Sequence, residues 1–238
     1  AGLKVPRLYG TAEIDGVVYS VQEACLPLPS VRVGEWTDRH RRFCGALFTS
    51  AGAGTGDLRA ALASREALRA KLDALGGEAR RLAGTCARLL ALADSELGGR
   101  PVRLGWVHRD FTPWNTMPVS GALTVVDWEW AEPGWVPLHD AFHFHLFPDI
   151  LRGEIDPAQW ERLVGDESPL AGLARDLGIH GALTPYAALY LYDTLIFYGD
   201  ALASDGKSFD DSLLQRLRRL AEAWAERHSA MLPSGSVA

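Results

Sequence analysis

The 238-residue chain is poor in cysteine, lysine and methionine. Its three cysteines, Cys25, Cys44 and Cys86, are odd in number and show no Cys-x-x-Cys spacing, which argues against a disulfide framework and a zinc site. No apolar run reaches the roughly 18 residues that a transmembrane helix needs. The first residues lack a charged segment followed by an apolar one, so no signal peptide is predicted. We therefore expect a cytoplasmic protein with no membrane partner.

Charge and motif content exclude further classes of protein. The formal net charge of −6 argues against a broad nucleic-acid surface and favours the approach of a cationic substrate. The Gly-rich stretch at 50–56 lacks the Gly-Lys-Ser/Thr ending of an ATPase phosphate loop and is predicted to be a plain linker. Neither Gly-x-Ser-x-Gly nor His-Glu-x-x-His is present, so a hydrolase is not favoured.

The spacing of apolar and turn residues predicts an α/β (α+β) fold with a small β element and a mainly helical body. Two β-rich stretches within residues 5–25 flank Asp15-Gly16, a strong hairpin signal. Residues 26–56 show no clear period and are predicted to be a linker. Helices are predicted from Asp57 to Gly76, from there to Gly98, and near 157–164, 184–203 and 209–230, with strands at 102–108 and 122–128.

Polar residues suited to phosphoryl transfer are concentrated between 104 and 128. Asp110 follows a predicted strand, Asn115 lies five residues later, and a second strand ends at Asp127. Phosphoryl transfer needs one carboxylate beside the incoming hydroxyl group, and carboxylate and amide oxygens that hold Mg²⁺ against the phosphates. Asp110 suits the first role, and Asn115 with Asp127 the second. The alternative is a hairpin whose Asp and Asn residues only cap turns.

Two motifs in this segment resemble those of a known family. HRDFTPWN and VVDWE are similar to the catalytic and metal-binding loops of the aminoglycoside phosphotransferase and choline kinase superfamily, which is related to the protein kinases. The resemblance is close over 102–146 and loose over 5–25. It implies a protein-kinase-like fold with a partial N-lobe hairpin and hinge at 1–25, a linker at 26–56 and a C-lobe at 57–238, with the catalytic loop at 106–117 and the metal loop at 122–135.

The same resemblance implies a role for individual residues around the catalytic loop. Asp110 would be the acceptor-side base, with His108 and Arg109 beside it in the catalytic set. Asn115 and Asp127 would bind Mg²⁺. A further carboxylate, that of Asp140, would support the loop by hydrogen bonds to its backbone.

The substrates implied by the resemblance are a nucleotide and a small hydroxyl compound. The Glu23 carbonyl group and the Cys25 amide would contact the adenine of ATP, or the base of GTP. The acceptor would be an aminoglycoside or another antibiotic, a choline-like alcohol or a sugar, so a role in antibiotic resistance is one expectation. The sequence carries no signal for an oligomeric state.

Five residues are candidate contacts for the acceptor: Trp114, Glu129, Glu132, Tyr190 and Asp193. Aromatic faces bind quaternary ammonium groups or stack on sugars, and carboxylates favour an amine-bearing acceptor. The alternatives are a solvated acidic rim, and an aromatic stripe at 184–203 that belongs to the core. Three histidines, His139, His143 and His145, are interpreted as core residues rather than metal ligands.

Part of the family pattern cannot be placed in this sequence. The missing parts are a loop that covers the nucleotide, a strand with a phosphate-binding Lys and a helix with its Glu partner. The simpler interpretation is that they precede Ala1, and the alternative is a protein without them. Two further hypotheses are a non-catalytic kinase-fold module that binds a ligand, and half of a kinase completed by another chain.

Overall fold

The computed structural model describes residues 3–24, 34–119, 122–154, 156–209 and 211–229. Within them the chain forms eight helices and seven strands. The helices are α1 (Asp38–Phe48), α2 (Leu58–Leu75), α3 (Gly77–Leu97), α4 (His139–Arg152), α5 (Pro157–Val164), α6 (Ala171–Asp176), α7 (Thr184–Ser204) and α8 (Ser212–Ser229). The strands are β1 (Leu8–Ile14), β2 (Val17–Gln22), β3 (Gly54–Asp57), β4 (Pro101–Val107), β5 (Thr116–Val119), β6 (Ala122–Val125) and β7 (Glu132–Trp135).

The strands form three small antiparallel sheets within the described residues. One contains β1 and β2, the second has the order β3-β4-β7, and the third contains β5 and β6. The predicted hairpin at Asp15-Gly16 is confirmed, and both turn residues have positive φ, as a two-residue hairpin turn requires. Because small antiparallel sheets accompany a helical body, the α+β class predicted from the sequence is confirmed.

Helix α7 forms the centre of the helical body. Helices α2, α3, α4 and α8 all pack against it, so most of its residues are buried. Close packing is possible because Gly199 of α7 has no side chain where Leu72 and Leu82 approach. No helix in the described ranges combines the length and the apolar character that crossing a membrane would require.

The predicted linker at 26–56 is wrong over its second half. Residues 38–48 form α1, which begins at the N-cap residue Thr37 and buries Phe43, Leu47 and Phe48. Part of the Gly-rich stretch forms β3, which pairs with β4. The helix was missed because its first half carries three arginines, which hide the apolar period of its second half.

The other predicted helices and strands are confirmed within a few residues of their expected ends. Besides α1 and β3, the structure adds four elements to them: α4, α6, β5 and β7. Strand β5 is short and contains Pro118, a residue that disfavours strand interiors, and it exists because it pairs with β6 across a hairpin. The new strands matter because they position the residues described next.

A single methyl group at Gly105 is expected to destabilise this framework. A Cβ atom at Gly105 would lie 2.1 Å from the backbone oxygen of Phe48, at the end of α1. Because a backbone atom cannot move as a flexible side chain does, Gly105→Ala should lower the free energy of unfolding by about 2 kcal/mol. The matched control is Gly84→Ala in α3, where a Cβ meets nothing within 4 Å and should add about 0.5–1 kcal/mol. Urea unfolding measures both, and equal stability of the two variants would contradict the packing described.

Candidate active site

Strand pairing brings the two ends of the site segment together. Strand β4 pairs antiparallel with β7, so Val107 lies opposite Glu132. The chain between these two strands leaves the sheet, forms the β5–β6 hairpin and returns. The loop after β4, residues 108–115, is therefore held close to the chain that follows β6.

The Asp140 carboxylate fixes the backbone of this loop. It accepts hydrogen bonds from the backbone N–H groups of His108, at 2.8 Å, and Arg109, at 2.9 Å. Asp140 lies in the first turn of α4 and is buried. The contact expected of Asp140 is thus present, and it ties the start of the loop to a core helix.

Asp110 and Asn115 are in direct contact. The side-chain nitrogen Nδ2 of Asn115 donates to Asp110 Oδ2 at 2.7 Å and to the Asp110 backbone oxygen at 3.0 Å. Asp110 is nevertheless partly exposed, with 27% of its side chain accessible. The loop therefore presents a carboxylate whose orientation is set by its own chain.

The β5–β6 hairpin brings Asp127 to the same end of the molecule. The backbone N–H of Val126 donates to the Asn115 backbone oxygen at 3.0 Å, which continues the ladder by one pair beyond Thr116 and Val125. Asp127 is the next residue and is exposed. The backbones at Asn115 and Asp127, the two residues predicted to bind metal, therefore lie close together.

The His108 ring packs in the core beneath the loop. It is fully buried and lies edge-on to the Trp128 ring, with 4.7 Å between the ring centroids. Trp128 in turn donates from Nε1 to the Val125 backbone oxygen at 2.8 Å. Through these rings the loop after β4 and the loop after β6 support each other, so His108 has a packing role.

Backbone strain is concentrated around the same residues. Among the described residues, four non-glycine residues have positive φ, and three of them, Arg109, Asp127 and Leu138, lie within or beside the site. The left-handed region costs an L-residue about 1–2 kcal/mol, and strained residues cluster at functional sites. The hydrogen bond that the Arg109 backbone N–H donates to Asp140 offsets part of this strain, because it holds the backbone in place.

A buried ion-pair network lies behind the loop and is centred on Asp193 of α7. Arg109 Nη2 donates to Asp193 Oδ2 at 2.6 Å, and Arg65 Nε donates to Oδ1 at 3.0 Å. His139 Nε2 lies 3.1 Å from Oδ2. Both arginines also pair with Glu132, Arg109 at 3.6 Å and Arg65 more closely. The network thus joins α2, the 108–115 loop, β7, α4 and α7.

The network changes the pKa values of its members in opposite directions. Burial alone would raise the pKa of Asp193, but the hydrogen bond from His139 and the charges of Arg109 and Arg65 outweigh it, so the pKa lies well below the usual range. Burial alone would lower the pKa of His139, but its carboxylate neighbours raise it. The buried network therefore holds Asp193 as an anion and favours a protonated His139.

A second hydrogen-bonded chain reaches Asp110 from the core. His143 Nε2 lies 3.3 Å from Asp110 Oδ1, and the Tyr190 hydroxyl group lies 3.4 Å from His143 Nδ1. Burial lowers the pKa of His143 despite the neighbouring Asp110. In the neutral ring, Tyr190 donates to Nδ1 and Nε2–H donates to Asp110, which satisfies all three groups.

A cavity of about 210 Å³ opens beside Asp110. Its wall contains polar and charged residues from the loop, α4 and α7, including Arg109, Asp110, His143 and Asp193. The remaining wall is mainly aromatic: Trp114, Trp130, Phe147, Phe197 and Tyr198. The cavity therefore offers one accessible carboxylate at the edge of an aromatic surface.

Three of the predicted acceptor contacts are buried away from the cavity or are already bonded to other side chains. Tyr190 is fully buried behind His143, so it does not line the cavity. Asp193 lines the cavity, but both of its oxygens are bonded to Arg65, Arg109 and His139. Glu132 is paired with the same two arginines. These residues were chosen for type and spacing, which cannot reveal a partner that is distant in sequence.

The other predicted contacts divide between the cavity and the surface. Trp114 lines the cavity and is 44% exposed. Glu129 is exposed and does not line the cavity. In the hairpin, Glu23 donates its backbone N–H to the Arg7 oxygen at 2.8 Å, and Cys25 lies outside the described residues. The proposed adenine contact thus stays a prediction.

The interpretation of the three histidines as core residues is confirmed for two of them. His139 and His143 are buried on α4, and His145 is half-buried against Trp36 and Phe144. Burial lowers the pKa of His145 to about 4. In the described part of the chain, no group of three or more His, Cys, Asp or Glu side chains is arranged to hold a metal ion.

Sequence reasoning missed Arg65, which is central to the ion-pair network. Its position gave a signal, because Leu58, Leu62, Arg65 and Leu72 recur at spacings of three, four and seven along α2. A charged residue on the buried face of a helix requires a buried partner. The spacing predicts that a partner exists, but the tertiary structure identifies it as Asp193.

Comparison with protein-family models, with curated protein sequences and with solved structures finds no match to this chain.

Removal of the Asp193 charge is expected to destabilise the protein and to flatten its acid denaturation. Since the folded-state pKa of Asp193 is depressed, its contribution is fully present above the ordinary Asp pKa of about 3.9 and is lost as the pH falls through the lower folded value. Asp193→Asn should cost about 3 kcal/mol at pH 7, because two partly buried arginines then share Glu132 as their remaining anion. Below pH 4 its stability should depend less on pH than that of the wild type.

The matched control for this prediction is Asp200→Asn on the same helix. Asp200 pairs with Lys71 at the surface, where the Lys71 side chain is 53% exposed, so the loss should be about 0–1 kcal/mol. Urea unfolding from pH 2 to pH 8 measures both variants. Equal losses, or an unchanged acid limb in Asp193→Asn, would contradict the assigned network.

Proposed function

We propose that this chain is the C-lobe, with the end of the N-lobe, of a protein-kinase-like phosphotransferase, and that it transfers the γ-phosphoryl group of ATP or GTP to a hydroxyl group of a small molecule. The observation that carries the proposal is the contact between Asp110 and Asn115 beside a cavity, on a loop anchored by Asp140. The resemblance of HRDFTPWN and VVDWE to the aminoglycoside phosphotransferase and choline kinase superfamily supports it.

Asp110 is the acceptor-side base in this proposal. Its carboxylate is partly exposed at the cavity, where it can accept a hydrogen bond from the acceptor hydroxyl group and then its proton. Asn115 and His143 each bond one of its oxygens, which fixes the direction in which the carboxylate faces.

The proposed residues fit Mg²⁺ by the chemistry of their donor atoms. Magnesium prefers hard oxygen ligands, and Asn115 and Asp127 supply an amide and a carboxylate oxygen at the same end of the β5–β6 hairpin. The Asn115 nitrogen is used for Asp110, which leaves its carbonyl oxygen for a cation. When bound, the ion would neutralise the phosphate charge that develops during transfer.

Asp140 and Arg109 are positioning residues in this proposal. Asp140 holds the backbone before Asp110, and the Arg109 side chain is bonded to Asp193 in the buried network. Together they fix both the backbone and the side chain of the residue preceding Asp110. The geometry at Asp110 therefore depends on bonds formed away from the cavity.

Asp110→Ala is expected to abolish transfer while the fold remains intact. General-base groups contribute about 10²- to 10⁴-fold to rate, and Asp110 is partly exposed, so its removal leaves no buried charge without a partner. The control is Glu129→Ala, an exposed residue outside the cavity, which should retain wild-type transfer. Transfer is measured with γ-labelled ATP, Mg²⁺ and a panel of hydroxyl compounds on the full-length gene product. Undiminished turnover of Asp110→Ala would refute the assignment.

A loss of Mg²⁺-dependent nucleotide binding is expected for Asp127→Ala. Calorimetry with ATP, with and without Mg²⁺, measures this on the full-length gene product. The wild type should show a Mg²⁺-dependent affinity that falls at least tenfold in Asp127→Ala, because one of the two proposed oxygen ligands is gone. Glu129→Ala again serves as the control, because it lies two residues away and is also exposed.

A non-catalytic ligand-binding module is the second candidate function. The observation that favours it is the cavity itself, most of whose wall is aromatic. The same calorimetry separates the two functions. Absence of any Mg²⁺-dependent nucleotide binding in the full-length protein would favour the module, and a short β-rich partner that restores binding would favour a complemented kinase.

A further inference from the structure

The charges around the cavity are paired by the protein itself. Two carboxylates line the cavity in the described structure, Asp110 and Asp193. Asp193 is bonded to Arg65, Arg109 and His139, so its negative charge is compensated before any ligand binds. Glu132, behind the wall, is compensated by the same arginines. Of these three carboxylates, Asp110 is the one paired with a histidine, His143, and not with an arginine.

A fixed cation also occupies part of the aromatic wall. The Arg109 guanidinium lies over the Phe197 ring, 5.1 Å from its centroid, and Arg109 itself lines the cavity. The Phe197 face that would attract an ammonium group is therefore already used. An amine that enters the cavity would find this aromatic face occupied by a guanidinium group, and the acids behind it already paired with that group.

The remaining aromatic surface is open to a ligand. Trp114 is 44% and Trp130 46% exposed, and both line the cavity. Trp130 is held edge-on against Phe197, with 4.8 Å between ring centroids, so its position is fixed by packing. Large half-exposed indole rings gain contact area when a flat or apolar face covers them. At about 210 Å³ the cavity is small, which suits a compound of one or two rings.

We propose that the cavity selects an uncharged hydroxyl compound with a flat or apolar face. Because Arg65 and Arg109 neutralise Asp193 and Glu132, the cavity lacks the surplus negative charge that would favour polycationic amino sugars and quaternary ammonium alcohols. This inference rests on the proposed function for the role of Asp110, and it narrows the acceptor class. It reverses the expectation, drawn from the net charge and from Glu129 and Glu132, of an amine-bearing substrate. The net charge of the chain is negative, but the charge at this cavity is balanced.

A binding comparison without nucleotide or Mg²⁺ tests the proposal. Calorimetry on the full-length protein, at about 0.15 M salt, would compare three probes: phenyl β-glucoside, kanamycin and choline. We expect phenyl β-glucoside to bind at least tenfold more tightly than either cation. Equal or tighter binding of kanamycin or choline, or no binding of phenyl β-glucoside in the millimolar range, would overturn the proposal.

Variants connect the result to the residues that carry it. Trp130→Ala should weaken the binding of phenyl β-glucoside about three- to tenfold, the range expected for loss of one aromatic contact. Tyr19→Ala, which removes a similarly exposed aromatic ring from the β1–β2 hairpin, should leave the binding of phenyl β-glucoside unchanged.

Arg109→Gln should raise the affinity for kanamycin at least fivefold, because it removes a cation and exposes Asp193. Thermal unfolding checks the fold of each variant, and the wild-type comparison decides the question if Arg109→Gln does not fold.

The transfer assay distinguishes failure of this proposal from failure of the proposed function. Phosphoryl transfer to kanamycin or choline, with no binding of the neutral probe, would contradict the proposed selectivity but support the kinase function. Selective binding of phenyl β-glucoside, with no transfer from ATP to any hydroxyl compound, would contradict the kinase function but support the selectivity.

Discussion

The buried Asp140 carboxylate is the constraint on which the site depends. Two consecutive backbone N–H groups, those of His108 and Arg109, donate to its two oxygens. An unpaired N–H in this buried position would be costly, and so would an unpaired carboxylate, so each group requires the other. Because Asp140 lies in the first turn of α4, its hydrogen bonds attach the loop to a helix of the core. Every other contact at Asp110 starts from a backbone held in this way.

The network around Asp193 provides a second level of support, at an electrostatic cost. Burying two arginines with two acids is favourable only when the geometry and the hydrogen bonds are good, and hydrophobic residues of similar volume are often equally stable. A network of this kind is therefore better explained by the side chain that it positions and by the acids that it neutralises than by stability alone. Here it fixes the Arg109 side chain, and it leaves Asp110 as the accessible anion of the cavity.

Local sequence signals predicted most of the elements. The Asp15-Gly16 turn, the glycine stops after α2 and α3, and the apolar period of α7 each act within a few residues, so they could be recognised without a structure. Helix α1 was missed because its arginines hide its apolar period. The Phe43 ring of this helix stacks on Phe111 of the 108–115 loop. That contact joins residues far apart in the chain, so no local sequence pattern encodes it.

The sequence by itself determined the order and type of the functional groups: a strand, Asp110, Asn115 five residues later, and a second strand ending near Asp127. It determined this because strand propensity and turn chemistry are properties of short segments. Only the tertiary structure decided which charges remain available. Asp193 and Glu132 looked like ligands in the sequence, and they proved to be partners of Arg65 and Arg109, because ion pairing depends on distance in space and not on separation along the chain.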